Sequence, residues 1–192
     1  MVCLPDNRVL YHGSYCEVQD IDLKHCSRGM DFGRGFYVTS SRQQAISYIP
    51  SSVRKAIRQK RIPANYPVDD GRLNTYRLDE ATPELFVHCF RTADIEWLHY
   101  VACQRNEKLF PKLRWKYREV DIIGGKVADD ATSTVLNAYV NGGYGEPGTV
   151  QADRMALQLL IPDRLEDQFC FRTPDAIAAL SFEGSERYGD LR

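Results

Sequence analysis

Two glycines one residue apart, Gly33 and Gly35, break up Asp31-Phe32-Gly33-Arg34-Gly35-Phe36-Tyr37-Val38-Thr39, and no other stretch constrains the fold as strongly. Glycine permits positive φ and close backbone approach, while Phe36-Tyr37-Val38-Thr39 favours a strand. A second apolar run, Val9-Leu10-Tyr11, likewise ends at a glycine in His12-Gly13-Ser14. Two strand segments, each with an aromatic or polar residue beside glycine, lead us to expect a cleft where backbone approaches a flat ligand.

The chain's 192 residues suffice for one domain with a substantial core. Its 25 Lys+Arg against 26 Asp+Glu leave a net charge of −1, so no global field favours nucleic acid or a membrane. No signal peptide is legible at the N-terminus and no apolar run spans a bilayer, so the expected location is cytoplasmic. The six cysteines include no C-x-x-C pair, and they read as free thiols. The spacing of Cys16, His25 and Cys26 matches no standard zinc pattern, and no metal is expected.

Along the chain, Val9 to Tyr11 reads as a strand, followed by a polar loop from Tyr15 to Met30 anchored by Val18, Ile21 and Leu23. After the Tyr37 strand, Ser40-Ser41 caps a helix that Pro50 ends, and Ser51-Ser52 caps a second, with Val53, Ala56 and Ile57 on one face. Asn74 to Leu78 and Leu85 to Phe90 read as strands. A helix opens at Thr92-Ala93-Asp94, and Tyr117 to Gly124 forms the next strand, closed by Gly124-Gly125. Helices follow around Val135 to Val140 and Val150 to Leu160, the latter with a stripe of Met155, Leu159 and Leu160. After the break at Pro162-Asp163 comes a strand from Leu165 to Phe171, on which Gln168 alternates with Phe169 and Phe171. Thr173-Pro174-Asp175 starts a last helix. Residues 1–182 form the single domain, with 183–192 a loose polar tail. The irregular mixture of helices and strands is α+β rather than doubly wound.

Arg54, Lys55, Arg58, Lys60 and Arg61 form a basic run with two open readings: a solvated helix face, or a contact surface for phosphate or nucleic acid.

Taken in order, Tyr11-His12-Gly13-Ser14, Asp31-Phe32-Gly33 with Gly35-Phe36-Tyr37-Val38-Thr39, Trp97-Leu98, Asp121-Ile122-Ile123-Gly124 with Ala128-Asp129-Asp130, and Gln168-Phe169 with Thr173 and Leu180 form a recognisable set. The chain resembles, from Leu10 to Phe182, a bacterial domain-of-unknown-function family assigned to the ADP-ribosyltransferase superfamily. The resemblance implies a split antiparallel β-sheet with flanking helices and NAD+ bound between its halves. It implies that His12 holds a ribose hydroxyl, that the Gly13 backbone holds the nicotinamide amide, and that Tyr37 stacks on the nicotinamide. Ser14, Arg34, Gly35 and Phe36 complete the expected binding surface. Gln168 takes the place of the third residue, usually glutamate, and Glu166, two residues earlier, is a candidate for orienting or deprotonating the acceptor. Each residue alone also reads structurally: a hydrogen-bonded histidine, a core tyrosine, an exposed strand glutamine. The kinase reading of Asp-Phe-Gly fails because no H-R-D-x-x-x-x-N segment precedes it.

ADP-ribose transfer breaks the ribose–nicotinamide bond through an oxocarbenium-like transition state, which the site must position and stabilise. The implied activity is mono-ADP-ribosyl transfer, a glycosyltransferase reaction on NAD+ with a protein or nucleic-acid acceptor, in the setting of a bacterial toxin restrained by an antitoxin protein. NAD+ glycohydrolysis and non-catalytic NAD+ binding are the alternatives. Asp129 and Asp130 serve equally well as helix caps or as site residues.

Overall fold

A computed structural model gives the fold, describing residue 4 and residues 9–26, 30–79, 84–126, 130–160 and 166–192, with the backbone alone at 130 and 131. The described residues are mixed α+β, with seven strands in two sheets and six helices. The strands are β1 (Val9–Ser14), β2 (Phe36–Val38), β3 (Arg72–Leu78), β4 (Val87–Cys89), β5 (Ile122–Lys126), β6 (Asp167–Phe171) and β7 (Leu180–Arg187). The helices are α1 (Arg42–Arg58), α2 (Ile95–Arg105), α3 (Pro111–Lys116), α4 (Asp130–Val140), α5 (Val150–Leu160) and α6 (Pro174–Ala178).

One sheet has the order β1-β3-β7 and the other β2-β6-β5-β4. All pairs are antiparallel except β4 with β5, so the second sheet is mixed rather than wholly antiparallel. The period-2 alternation of the strands decides what each face buries. Leu10 and Tyr76 of the first sheet meet Phe36, Val38, Phe169 and Phe171 of the second in a core between the sheets. Leu73, on the opposite face of the first sheet, packs with Ala45, Ile49 and Val53 of α1. The far face of the second sheet, carrying Ile123 and Cys170, is covered by α2, α4 and α5. The layers thus run α1, sheet, core, sheet, helices.

Several expectations are corrected. Pro50 does not end a helix: α1 runs through it. Ala45, Ile49, Val53 and Ala56 keep one buried face across the proline, and that burial outweighs one lost backbone hydrogen bond. Ser52 therefore caps no second helix, and its Oγ instead accepts from Tyr15 N at 3.1 Å. The segment from Tyr117 is not a strand until Ile122, because α3 precedes it and Tyr117 ends that helix. The buried residues of α5 are Ala152, Asp153, Ala156 and Leu160, while Met155 and Leu159 are exposed. Buried Asp153 is satisfied by His99 Nε2 at 2.8 Å, by the Tyr139 hydroxyl and by Gly148 N, which pins α5 to α2 and α4. Pro162-Asp163, Leu165, Cys3 and Asp129 lie outside the described residues.

Residues 183–192 are not a loose tail. Strand β7 continues to Arg187 along β3, Tyr188 N donates to Gly71 O at 2.8 Å, and Arg187 pairs with Asp70 at 2.7 Å. Its polar composition reflects an edge strand with a wet face. Nor are all the cysteines free: Cys89 is disulfide-bonded, whereas Cys16, Cys26, Cys103 and Cys170 are free thiols. No helix among the described residues is long and apolar enough to cross a membrane.

Candidate functional site

The two sheets meet at the edges of β1 and β2, joined by one antiparallel bridge in which Tyr11 N donates to Thr39 O at 2.8 Å and Thr39 N to Tyr11 O at 2.9 Å. Beyond it the edges separate, and a cavity of about 930 Å³ opens between them, a size suited to a small-molecule ligand.

His12 spans the split. Its ring packs on Phe36 with centroids 4.6 Å apart, and Nδ1 lies 2.7 Å from the Tyr37 carbonyl oxygen. A carbonyl only accepts, so the Nδ1 position carries the proton. Burial lowers the pKa of His12 to about 4, with the Tyr37 hydrogen bond partly opposing that shift. The ring is therefore neutral near pH 7, with Nε2 left as a hydrogen-bond acceptor.

Tyr37 is fixed by the glycine turn that precedes it. Its hydroxyl donates to Gly33 O at 2.6 Å and accepts from Phe32 N at 3.1 Å. Gly33 holds a φ of 86°, and its N donates to Met30 O at 2.9 Å. Buried Asp31 anchors the turn, accepting from Arg105 Nη2 at 2.6 Å and Nε at 3.1 Å, and Arg105 also donates to Ser133 and Asn137. Burial pushes the Tyr37 hydroxyl pKa up, so it stays protonated.

Gln168 arrives from β6. Cys170 is the register partner of Tyr37, and Gln168, two residues before it, shares that face of the sheet. Gln168 lines the cavity with His12 and Tyr37, and among the described residues nothing pairs with its amide. Gly13, Ser14, Gly35 and Phe36 line it too.

Two expected residues stand elsewhere. Glu166 is exposed, precedes β6 and does not line the cavity. Arg34 turns away from it: its Nε donates to Leu23 O at 3.0 Å and its Nη2 to Lys24 O at 2.9 Å, and it lines a separate notch. The glycines also have a reason other than the expected one. A Cβ at Gly13 would lie 2.1 Å from Ala45 O of α1, and one at Gly35 would lie 2.4 Å from Cys170 Sγ. Packing of the protein against itself already demands glycine at both positions, before any ligand is considered.

The basic run divides in the same way. Lys55 and Arg61 line the cavity, whereas Arg54, Arg58 and Lys60 do not. Tyr48, Ser52, Lys55 and Gln59 recur at helical spacing and present a second face of α1 to the cavity. Burial lowers the Lys55 pKa, and Arg61 and Arg58 lower it further. Burial raises the Tyr15 hydroxyl, with Arg61 hydrogen-bonded to it and pulling the other way. Sequence reasoning also missed Asn74. Its buried amide accepts from Val18 N at 2.9 Å and donates to the carbonyls of His12 at 3.2 Å and Cys16 at 3.3 Å. It thereby holds the segment after β1 against the sheet, and a polar residue on the inward face of β3 was its only sequence signal.

The lining thus combines an aromatic ring and an amide, Tyr37 and Gln168, with two cations, Lys55 and Arg61. The carboxylates of Glu17, Asp20 and Asp22 lie along one wall. Among the described residues no group of three or more metal-ligating side chains gathers.

No curated protein and no solved structure matches the chain. A family described as "Protein of unknown function (DUF3990)" matches residues 8–182, which takes in every cavity residue named above. The chain belongs to the DUF3990 family.

Proposed function

We propose that the chain binds NAD+ between β1 and β2 and transfers ADP-ribose from it to a macromolecular acceptor, with an ADP-ribosyltransferase-like fold. One observation carries this reading: neutral His12 is hydrogen-bonded to Tyr37, and Gln168 shares the Tyr37 face of the same cavity. A flat heterocycle is matched by the Tyr37 ring and by amide-reading backbone at Gly13. His12 Nε2 accepts from a ribose hydroxyl, and Gln168 accepts from another. Lys55 and Arg61 complement the diphosphate.

In the reaction the ribose C1′–nitrogen bond breaks and nicotinamide leaves with the electron pair, becoming neutral. The acceptor's nucleophilic atom bonds to C1′ and its proton passes to a base or to water. The protein holds the dinucleotide bent and stabilises the developing positive charge. Gln168 offers a dipole where a glutamate would offer a full charge, and this favours a second reading in which turnover is slow hydrolysis to free ADP-ribose. In the transferase reading the protein acts as a toxin held in check by an antitoxin protein.

Labelled NAD+ incubated with the protein and a cell lysate tests both. Label on protein or nucleic acid supports transfer, free ADP-ribose supports hydrolysis, and binding without turnover leaves an NAD+-binding module. Tyr37→Ala abolishes cleavage; unchanged turnover in that variant overturns the site.

A further inference from the structure

The 3-10 turn Leu23–His25 has two sides. Asp22 and His25 line the cleft, whereas Leu23 and Lys24 line a notch of about 330 Å³ whose other walls include Arg34, Arg118 and Arg172. Four cations face this notch and, among the described residues, no carboxylate lines it. Two of the guanidiniums are oriented by backbone alone. Arg34 donates to Leu23 O and Lys24 O, and Arg172 donates from Nη1 to Tyr117 O at 2.7 Å and Val120 O at 3.0 Å. Carbonyls satisfy hydrogens without cancelling charge, so both forks stay cationic and pre-oriented. The carboxylates around it are Glu119, which meets Arg118 at 2.9 Å in an exposed and therefore weak pair, Asp121, which accepts from the Thr173 hydroxyl at 2.6 Å, and Asp22, which accepts from Lys24 N at 2.7 Å.

Arg118 also joins the notch to an aromatic platform. Its Cζ lies 4.4 Å from the ring centroid of Trp115, which is 67% exposed on α3. The flanking cations Arg114 and Lys116 are paired with Glu107 and Glu96, so the unbalanced charge is concentrated at the notch.

We propose that this surface binds single-stranded nucleic acid, with a backbone phosphate in the notch and a base stacked on Trp115. A guanidinium fork matches a phosphate, and an exposed indole beside it matches a base. A phosphorylated side chain uses the first feature but has no use for the second. Since Arg34 is followed directly by Gly35 of the cleft wall, a strand held here lies beside the cleft as a candidate acceptor. That last step rests on the transferase reading, while the binding itself does not.

Fluorescence anisotropy with labelled oligouridylate and the corresponding DNA strand tests it on the full chain. Binding is expected to weaken steeply with salt, and the double variant Lys24→Glu with Arg118→Glu to lose about tenfold or more. Trp115→Ala is expected to lose about tenfold. Both charge reversals are on exposed side chains, and Lys24→Gln with Arg118→Gln gives a second, milder pair. Arg54→Glu, on α1 away from both pockets, controls for net charge and is expected to bind as wild type. Absence of binding, equal losses from Arg54→Glu and the notch variants, or displacement of the strand by a phosphopeptide at equal concentration overturns the proposal. Failure of NAD+ cleavage leaves it standing.

Discussion

The Tyr37 carbonyl accepts a hydrogen bond from Nδ1 of His12 at 2.7 Å, so a side chain from β1 closes the gap that backbone pairing with β2 leaves open. Within one bond of each other stand a ring nitrogen kept as an acceptor and an aromatic face held by its own hydroxyl. The cavity is therefore built on an element of fold stability, and the first test of it needs no ligand.

His12 has a folded pKa of about 4 against an ordinary value of 6.5. The unfolded chain then binds more protons between those values, so this contribution is complete above pH 6.5 and is lost as pH falls through 4. The difference corresponds to about 3 kcal/mol. Urea unfolding measured across this range should show that loss in the wild type, and His12→Asn should flatten the slope. An unchanged slope places the acid sensitivity elsewhere.

Gly13→Ala should destabilise the protein by about 3 kcal/mol or more, because the added Cβ would collide with backbone rather than with a movable side chain. Thermal unfolding without any ligand reads this directly. A variant of native stability that had lost only ligand binding would restore the ligand-approach explanation for this glycine.

The same residue shows what a sequence does and does not disclose. The strands that carry His12, Tyr37 and Gln168 were legible from their apolar runs, whereas the grouping of the three side chains was implied by the resemblance alone; all three line one cavity. The reason for the glycines was not legible, since Ala45 and Cys170 are distant in sequence from the positions they constrain. Pro50 misled for the opposite reason: a strong local rule was overridden by the buried face of α1, visible as the spacing of Ala45, Ile49, Val53 and Ala56. Helix α3 was hidden because it is a single exposed segment entered through Phe110 at a φ of 48°, without an apolar stripe. The contribution of Lys55 and Arg61 was written as a basic run, and only the packing of α1 divides those two from their neighbours.

Gln168→Glu separates positioning from charge. One charge at about 5 Å with an effective dielectric near 20 is worth roughly 3 kcal/mol, or about two decades in rate. Under the proposed reading, NAD+ hydrolysis should rise by about that factor, while Gln168→Ala lowers it. Discontinuous measurement of nicotinamide release reads both. No change in either variant removes Gln168 from the reacting ribose.

Lys55 and Arg61 test whether the cavity takes a dinucleotide or only its nicotinamide end. Burial and the neighbouring arginines hold the Lys55 pKa down, so an anion arriving beside it should reverse part of that shift. Binding of NAD+ should then take up a fraction of a proton above neutral pH, measurable by calorimetry in buffers of different ionisation enthalpy. Lys55→Ala and Arg61→Ala should each weaken NAD+ binding about tenfold and flatten its dependence on salt. Nicotinamide, which carries no phosphate, should bind the variants and the wild type alike. Equal losses for both ligands would mean that these side chains support the cavity wall through Tyr15 and Ser52, and that the diphosphate lies elsewhere.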